Sequence, residues 1–197
     1  MDKTIDYYNL FASDFVSKTI NADVDNLHEL FLKYMPNGSK ILDLGCGSGR
    51  DSKIFKKKGY QVVAIDGSEE CCKLAEKHIE QEVLCKTFEQ IDYQNEFDGI
   101  WACASLLHIP SSDIISIFEK ISIALKPLAY LYCSFKYGDF EGERNGRYFL
   151  DLNPNKLTEL LKPLKELIII ETSITSDVRD FRANEKWLNV IIKKSII

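Results

Sequence analysis

No uncharged stretch of about 18 apolar residues occurs anywhere in the 197-residue chain, so nothing in it reads as a membrane span. The first thirty residues are broken up by charges and lack the apolar centre of a signal peptide, which points to a soluble, cytoplasmic protein. The six cysteines (Cys46, Cys71, Cys72, Cys85, Cys103 and Cys133) include no C-x-x-C pair, and no histidine stands at metal-ligand spacing. A zinc site or a disulfide framework is therefore disfavoured, no metal is expected, and the thiols are read as reduced and mostly buried. Positive charge is not in excess either. With 25 Lys+Arg against 30 Asp+Glu the net charge is -5, which gives little support to sequence-independent nucleic-acid binding. A low-complexity tract, a solenoid repeat and a linker rich in Pro, Gly or Ser are all missing, so the chain reads as one domain spanning 1–197.

What is present is an alternation. Two amphipathic helical patterns come first, "TIDYYNLFASDFVSKTI" and "DVDNLHELFLKYM", the second stopped by Pro36 and Gly38. The period then shortens. "KILDL" reads as a strand, "RDSKIFKKKG" as a helix, "YQVVAID" as a strand and "SEECCKLAEKHIEQ" as a helix. Two strands, "EVLCK" and "FDGIWACAS", precede the helix "SSDIISIFEKISIAL", for which Ser111 or Ser112 is the expected N-cap. "AYLYCSF" is the fifth strand. Asn153-Pro154 has the order that opens a helix through Leu161, and "LKELIIIETS" and "KWLNVIIKK" complete seven strands. This pattern predicts an α/β fold: a Rossmann-like, doubly wound, mostly parallel seven-stranded sheet with an antiparallel last strand, helices on both faces and an N-terminal helical cap. The cap is expected over 1–37, a cofactor-binding half over 38–135 and a substrate-side half over 136–197.

Gly45, Gly47 and Gly49 follow the first strand directly, where an open parallel sheet has its ligand crevice. Bare backbone there bends tightly and presents N–H groups to a ligand at close range. A phosphate loop would need G-x-x-x-x-G-K-[ST], which is absent, and a dinucleotide fingerprint counted from Gly45 would need glycine where Arg50 stands. "ILDLGCGSGR" followed by "VVAID" resembles instead the first two motifs of the class I S-adenosylmethionine-dependent methyltransferases, and the resemblance runs nearly the whole length.

That resemblance implies S-adenosyl-L-methionine as cofactor. It implies contacts with the methionine part at Asp43, Gly45, Gly47, Gly49 and Arg50, and a ribose-binding carboxylate at Asp66 followed by Gly67 and Ser68. A carboxylate suits two adjacent hydroxyl donors because it offers two acceptor oxygens. Adenine contact is expected at Thr87 and Phe88. "WACASLLHIP" is similar to the family's Leu-His segment, with Ala104 and Ser105 near the cofactor and His108 at the rim of the site. Tyr7 or Tyr8 would cover the cofactor from the N-terminal segment. Where relatives often read Lys-Pro-Gly-Gly, this chain reads "LKPLAY".

Strands five and six, if parallel to the first, deliver "KYGDFEGERNGRYF" and "ITSDVRDFRANE" to the cofactor's edge of the sheet. Arg144, Arg147, Arg179 and Arg182, with Tyr148, Asp177 and Glu185, are the substrate-binding candidates, since arginine's forked donors suit a carboxylate or phosphate. His108 is the candidate general base for a hydroxyl acceptor, while His28 and His78 read as surface or packing residues. The expected reaction is methyl transfer to a small molecule by in-line displacement. A nicotinamide-dependent reductase, a non-catalytic cofactor-binding module, and a protein or RNA acceptor remain alternatives, and oligomeric state is not legible.

Overall fold

The computed structural model describes residues 3–179 and 182–196. Nine strands and six α-helices follow one another: α1 (Lys3–Thr19), α2 (Asp25–Leu32), β1 (Lys40–Leu44), α3 (Arg50–Lys57), β2 (Gln61–Asp66), α4 (Glu69–Ile79), β3 (Leu84–Cys85), β4 (Phe97–Ala102), α5 (Ile114–Ala124), β5 (Leu125–Lys136), β6 (Glu141–Arg144), β7 (Arg147–Leu150), α6 (Pro154–Leu161), β8 (Leu167–Ser176) and β9 (Lys186–Lys194). Seven of the strands form one sheet in the order β3-β2-β1-β4-β5-β9-β8. The pairings from β3 through β5 are parallel, and β9 runs antiparallel to both β5 and β8. The fold class is therefore as the sequence pattern requires, with the last strand of the chain as the antiparallel one.

Strand geometry explains the two-sided core, since successive side chains point to opposite faces. Leu42, Ile100 and Leu131 belong to one buried cluster, with Phe118 and Ile121 of α5 and Leu157 of α6. Their neighbours Ile41, Trp101 and Tyr132 belong to the other, with Phe31, Met35 and Phe55. Gly99 in β4 permits the second cluster to close: a Cβ there would stand 2.6 Å from both Met35 Sδ and Phe31 Cζ. The helix α2 is thus part of the packing on the sheet.

Three local features differ from expectation. The segment after β5 folds as a hairpin, β6 with β7, turned by Asn145 (φ 51) and Gly146 (φ 78). Two consecutive positive φ values on Asn-Gly suit the turn whose twist matches the flanking strands. Helix α5 opens after Asp113 with no side-chain cap bond. Neither Ser111 nor Ser112 caps it, because Pro110 O accepts from the amides of both Asp113 and Ile114, so a turn fills residues 111–113. Within "LKPLAY", Leu128 takes φ 66, a glycine-like conformation for a branched side chain that is left 48% exposed. The other helix starts hold: Asn153 Oδ1 accepts from the amide of Lys156 at 3.0 Å, with Pro154 opening α6.

Candidate functional site

The strand order reverses between β1 and β4, and the crevice of such a sheet lies at that switch point. A cavity of about 370 Å³ opens there, walled by the segments after β1, β2, β3 and β4, by the far ends of β5 and β9, and by α1 as a lid. All three turn glycines have positive φ (81 at Gly45, 53 at Gly47, 74 at Gly49), but they serve two purposes. Gly45 and Gly47 line the cavity, with a Cβ at Gly45 falling 2.5 Å from Ser105 Cβ and one at Gly47 falling 3.0 Å from the Phe15 ring of α1. Gly49 does not line it. A Cβ at Gly49 would meet Ile79 Cγ1 at 2.7 Å, so that glycine admits the close approach of α3 to α4.

Asp66, the last residue of β2, faces the cavity and is anchored on both oxygens: the Ser68 amide donates to Oδ1 (2.9 Å) and the Gly47 amide to Oδ2 (2.8 Å). Burial pushes its carboxyl up, against the pull of those two amides. Ser68 caps α4, accepting from the Cys71 amide at 3.1 Å, and its hydroxyl donates to Asn9 Oδ1 at 2.8 Å, which ties the lid to the second glycine-bearing turn. Gly67, Thr87, Phe88, Ala104 and Ser105 also line the cavity. Ala104 is held at φ 53 while its amide donates to Ser134 Oγ at 2.8 Å.

Asp43 is elsewhere. It is buried beneath the turn, where Ser52 Oγ donates to its Oδ2 at 2.6 Å, and burial together with Asp51 raises its carboxyl to about 8. Arg50 does line the cavity, but its fork is spent on Asp51 (2.7 and 2.9 Å) and its Nη1 reaches Thr19 O at the end of α1. Asp51 also accepts from Trp101 Nε1 at 2.8 Å and bonds His28 Nε2 at 2.9 Å. Burial opposes its ionisation, yet Arg50 and His28 outweigh that and hold its carboxyl below the usual range.

Residues 41–128 match the family described as "Methyltransferase domain". Over those residues the chain is similar to methyltransferases. Among curated proteins it is similar to the putative methyltransferase YqeM of Bacillus subtilis, 27% identical over 143 residues that make up 67% of this chain and 58% of that one. It is also similar to the ubiquinone biosynthesis O-methyltransferase of Actinobacillus pleuropneumoniae serotype 7, 32% identical over 108 residues, 49% of this chain and 45% of that one. The chain thus spans about half the length of these relatives. A solved structure of like fold is the 1,6-didemethyltoxoflavin-N1-methyltransferase of Burkholderia thailandensis with bound 1,6-didemethyltoxoflavin and S-adenosylhomocysteine: TM-score 0.72, 21% identity, covering 97% of this chain and 90% of that one.

On the β5 side of the cavity, the side chains form a hydrogen-bonded relay. His108 Nδ1 lies 2.6 Å from Tyr148 O, and since a carbonyl can only accept, that nitrogen carries the proton. The bare Nε2 then accepts from Tyr8 O–H at 2.9 Å, and Arg147 Nη1 donates to the same phenol oxygen at 3.1 Å. Burial, helped by Arg147, lowers His108 to about 4. Both of its nitrogens are engaged, so it holds the lid tyrosine in place and offers no free lone pair to an acceptor. A measurable consequence is a stability slope. The folded value lies below the ordinary 6.5, so the unfolded chain takes up the proton first, and stability falls by at most about 1.4 kcal/mol per pH unit as pH drops from 6.5 toward 4. His108→Gln is expected to lose that slope in denaturant titrations. A wild-type rate limb near pH 6.5 that vanishes in the variant would restore the histidine as a base.

The arginines separate by their partners. Arg144 pairs with Asp151, and Arg179 forks onto Asp177 at 2.8 and 2.6 Å. Arg182 lies 3.6 Å from Glu185. Arg147 has no carboxylate within ion-pair distance among the described residues; it stacks on Tyr7 (4.5 Å) and Phe149 (5.1 Å) and lines the cavity. Arg179 and Arg182 line the cavity as well, whereas Arg144 does not, and the Tyr148 phenol points away to Glu141 (2.7 Å). Phe15, Lys136, Trp187 and Asn189 are among the lining residues not expected from the sequence. Lys136 was legible, since it ends β5 as Asp66 ends β2.

Proposed function

We propose that this chain transfers the methyl group of S-adenosyl-L-methionine to a small-molecule acceptor that bears an anionic group. The observation that carries the reading is the pairing of bare Gly45–Gly47 backbone with the Asp66 carboxylate in one cavity. The residues fit the cofactor: Asp66 retains lone pairs for two ribose hydroxyls, Gly45 and Gly47 leave room for the amino-acid portion, and Thr87 with Phe88 lie where an adenine ring would follow. When bound, the cofactor supplies an electrophilic sulfonium methyl.

The chain's own part is alignment and exclusion of water. Tyr8, Phe11 and Phe15 of α1 close over the turn, and Arg147 orients the acceptor through its anionic group, which suits a guanidinium without a protein counter-ion. With Tyr8 and Tyr148 occupying both imidazole nitrogens of His108, the reading favours an acceptor that needs no strong base. In this reading the chain works as one domain, 38–135 holding the cofactor and 136–197 meeting the acceptor. The enclosed aromatic wall and the small-molecule substrates named for two of the relatives favour a small acceptor over a protein or nucleic acid. A cytoplasmic setting agrees with six free cysteines and with the lack, among the described residues, of a helix long and apolar enough to cross a membrane.

Calorimetry with S-adenosylmethionine, S-adenosylhomocysteine and NAD(P), followed by a metabolite-extract screen with radiolabelled methyl donor, tests this. Micromolar binding of the first two and label transfer to an anionic small molecule are expected. Binding of NAD(P) alone would overturn the reading, and tight cofactor binding with no transfer to any acceptor would mark a binding module.

A further inference from the structure

Beside the main cavity lies a second, of about 390 Å³, whose wall shares Lys136, Arg147, Phe149 and Arg182 with the first. Its remaining charged lining is Arg144, Lys186, Asp151 and Glu185. Leaving Arg182 out of the count, four cations face two carboxylates there, a surplus of two positive charges in a chain whose net charge is -5. The surplus is unevenly held. Asp151 serves Arg144 and Glu185 serves Lys136, while Arg147 has neither, and its Nε is buried with no hydrogen-bond partner among the described residues. A buried donor without a partner costs free energy that a bound acceptor atom would recover. Lys136, half-buried and crowded by Arg182 and Arg144, is pushed down to about 8, so added negative charge here relieves a local repulsion.

We propose that the second cavity seats a doubly charged anionic group of the methyl acceptor, a phosphate monoester or two neighbouring carboxylates, gripped by Arg147 and Lys136. The acceptor's reacting atom would then reach past Phe149 into the main cavity, which rests on the methyltransferase reading above. Arg147 suits the task because its ring-stacked faces leave the edge of the fork for oxygens. A local surplus of two positive charges matches a dianion better than a single charge, and a recess between low-dielectric walls concentrates its field.

The test uses the full chain at pH 7.5, with and without S-adenosylhomocysteine, and reads probe binding from the fluorescence of Trp187, whose ring centre is 5.3 Å from Lys136 Nζ. Phenyl phosphate, whose second ionisation falls at about 6, and phthalate are the dianionic probes, and benzenesulfonate is the singly charged control. At least one dianion is expected to bind about tenfold or more tightly than benzenesulfonate, and which of the two does so identifies the anion. Arg147→Met should abolish that preference; Lys136→Met, which leaves the Tyr8 contact intact, should reduce it and carries the test alone if the first variant does not fold. Equal binding of all three probes, or a preference that survives in every folded variant, overturns the proposal. A dianion preference in a chain that fails to bind S-adenosylhomocysteine would instead keep this site and sink the cofactor assignment.

Discussion

Asp66→Ala is expected to weaken S-adenosylhomocysteine binding by about 10- to 150-fold, the equivalent of about 1.5 to 3 kcal/mol for hydrogen bonds to a charged group. The carboxylate is fixed before any ligand arrives: the Ser68 amide holds Oδ1 and the Gly47 amide holds Oδ2, so no side-chain entropy is lost on binding. Each oxygen keeps a further lone pair, which is the requirement for receiving two adjacent hydroxyls. The same anchoring means that alanine also leaves two amides without their acceptor and loosens the glycine turn. Asp66→Asn separates these effects, because its single amide oxygen can hold one of the two amides while lacking the charge. Calorimetry should therefore rank wild type above the asparagine variant and that above alanine. Unchanged affinity in a folded alanine variant would remove Asp66 from the site.

The strand-helix alternation was legible because both cores obey simple periods: Ile41 and Leu42, or Trp101 and Tyr132 against their neighbours, need only alternate for the two faces to be read. The strand-end rule pointed to the glycine turn, and the family resemblance to Asp66 and to the region of Ala104 and Ser105. What failed to show were relations between distant segments. His28 reads as one more residue on an amphipathic helix, yet it is buried against Asp51, 23 positions on, which Trp101 also reaches. Four arginines looked equivalent in sequence; only the placement of Asp151, Asp177 and Glu185 separates Arg147 from the rest. Gly49 belongs to the motif by spacing, while its conformation answers to Ile79 of α4. The hairpin at Asn145-Gly146, by contrast, carried a local signal strong enough to have been read.

Gly45→Ala is expected to cost about 2 to 5 kcal/mol of stability and to abolish detectable cofactor binding. Two separate penalties add. An L-residue at φ 81 lies outside the comfortable regions, at about 1 to 2 kcal/mol. The new Cβ would also lie 2.5 Å from Ser105 Cβ, an overlap that forces β1 and the segment after β4 apart at about 1 to 3 kcal/mol. Ser105 cannot swing aside, because the contact is through its Cβ and its hydroxyl is committed to Leu44 O at 2.7 Å. A second substitution tells the penalties apart. Ser105→Gly loses that hydrogen bond and is mildly destabilising alone, but combined with Gly45→Ala it removes the overlap and leaves the backbone strain. The double variant should thus be more stable than the sum of the singles by about 1 to 3 kcal/mol in denaturant titrations. Gly47→Ala supplies the contrast, since its nearest neighbour, at 3.0 Å, is the edge of the Phe15 ring on the lid, a side chain that can yield. If Gly45→Ala proves as stable as wild type, or if Ser105→Gly adds to it without coupling, the packed turn between β1 and β4 is not what holds this crevice open.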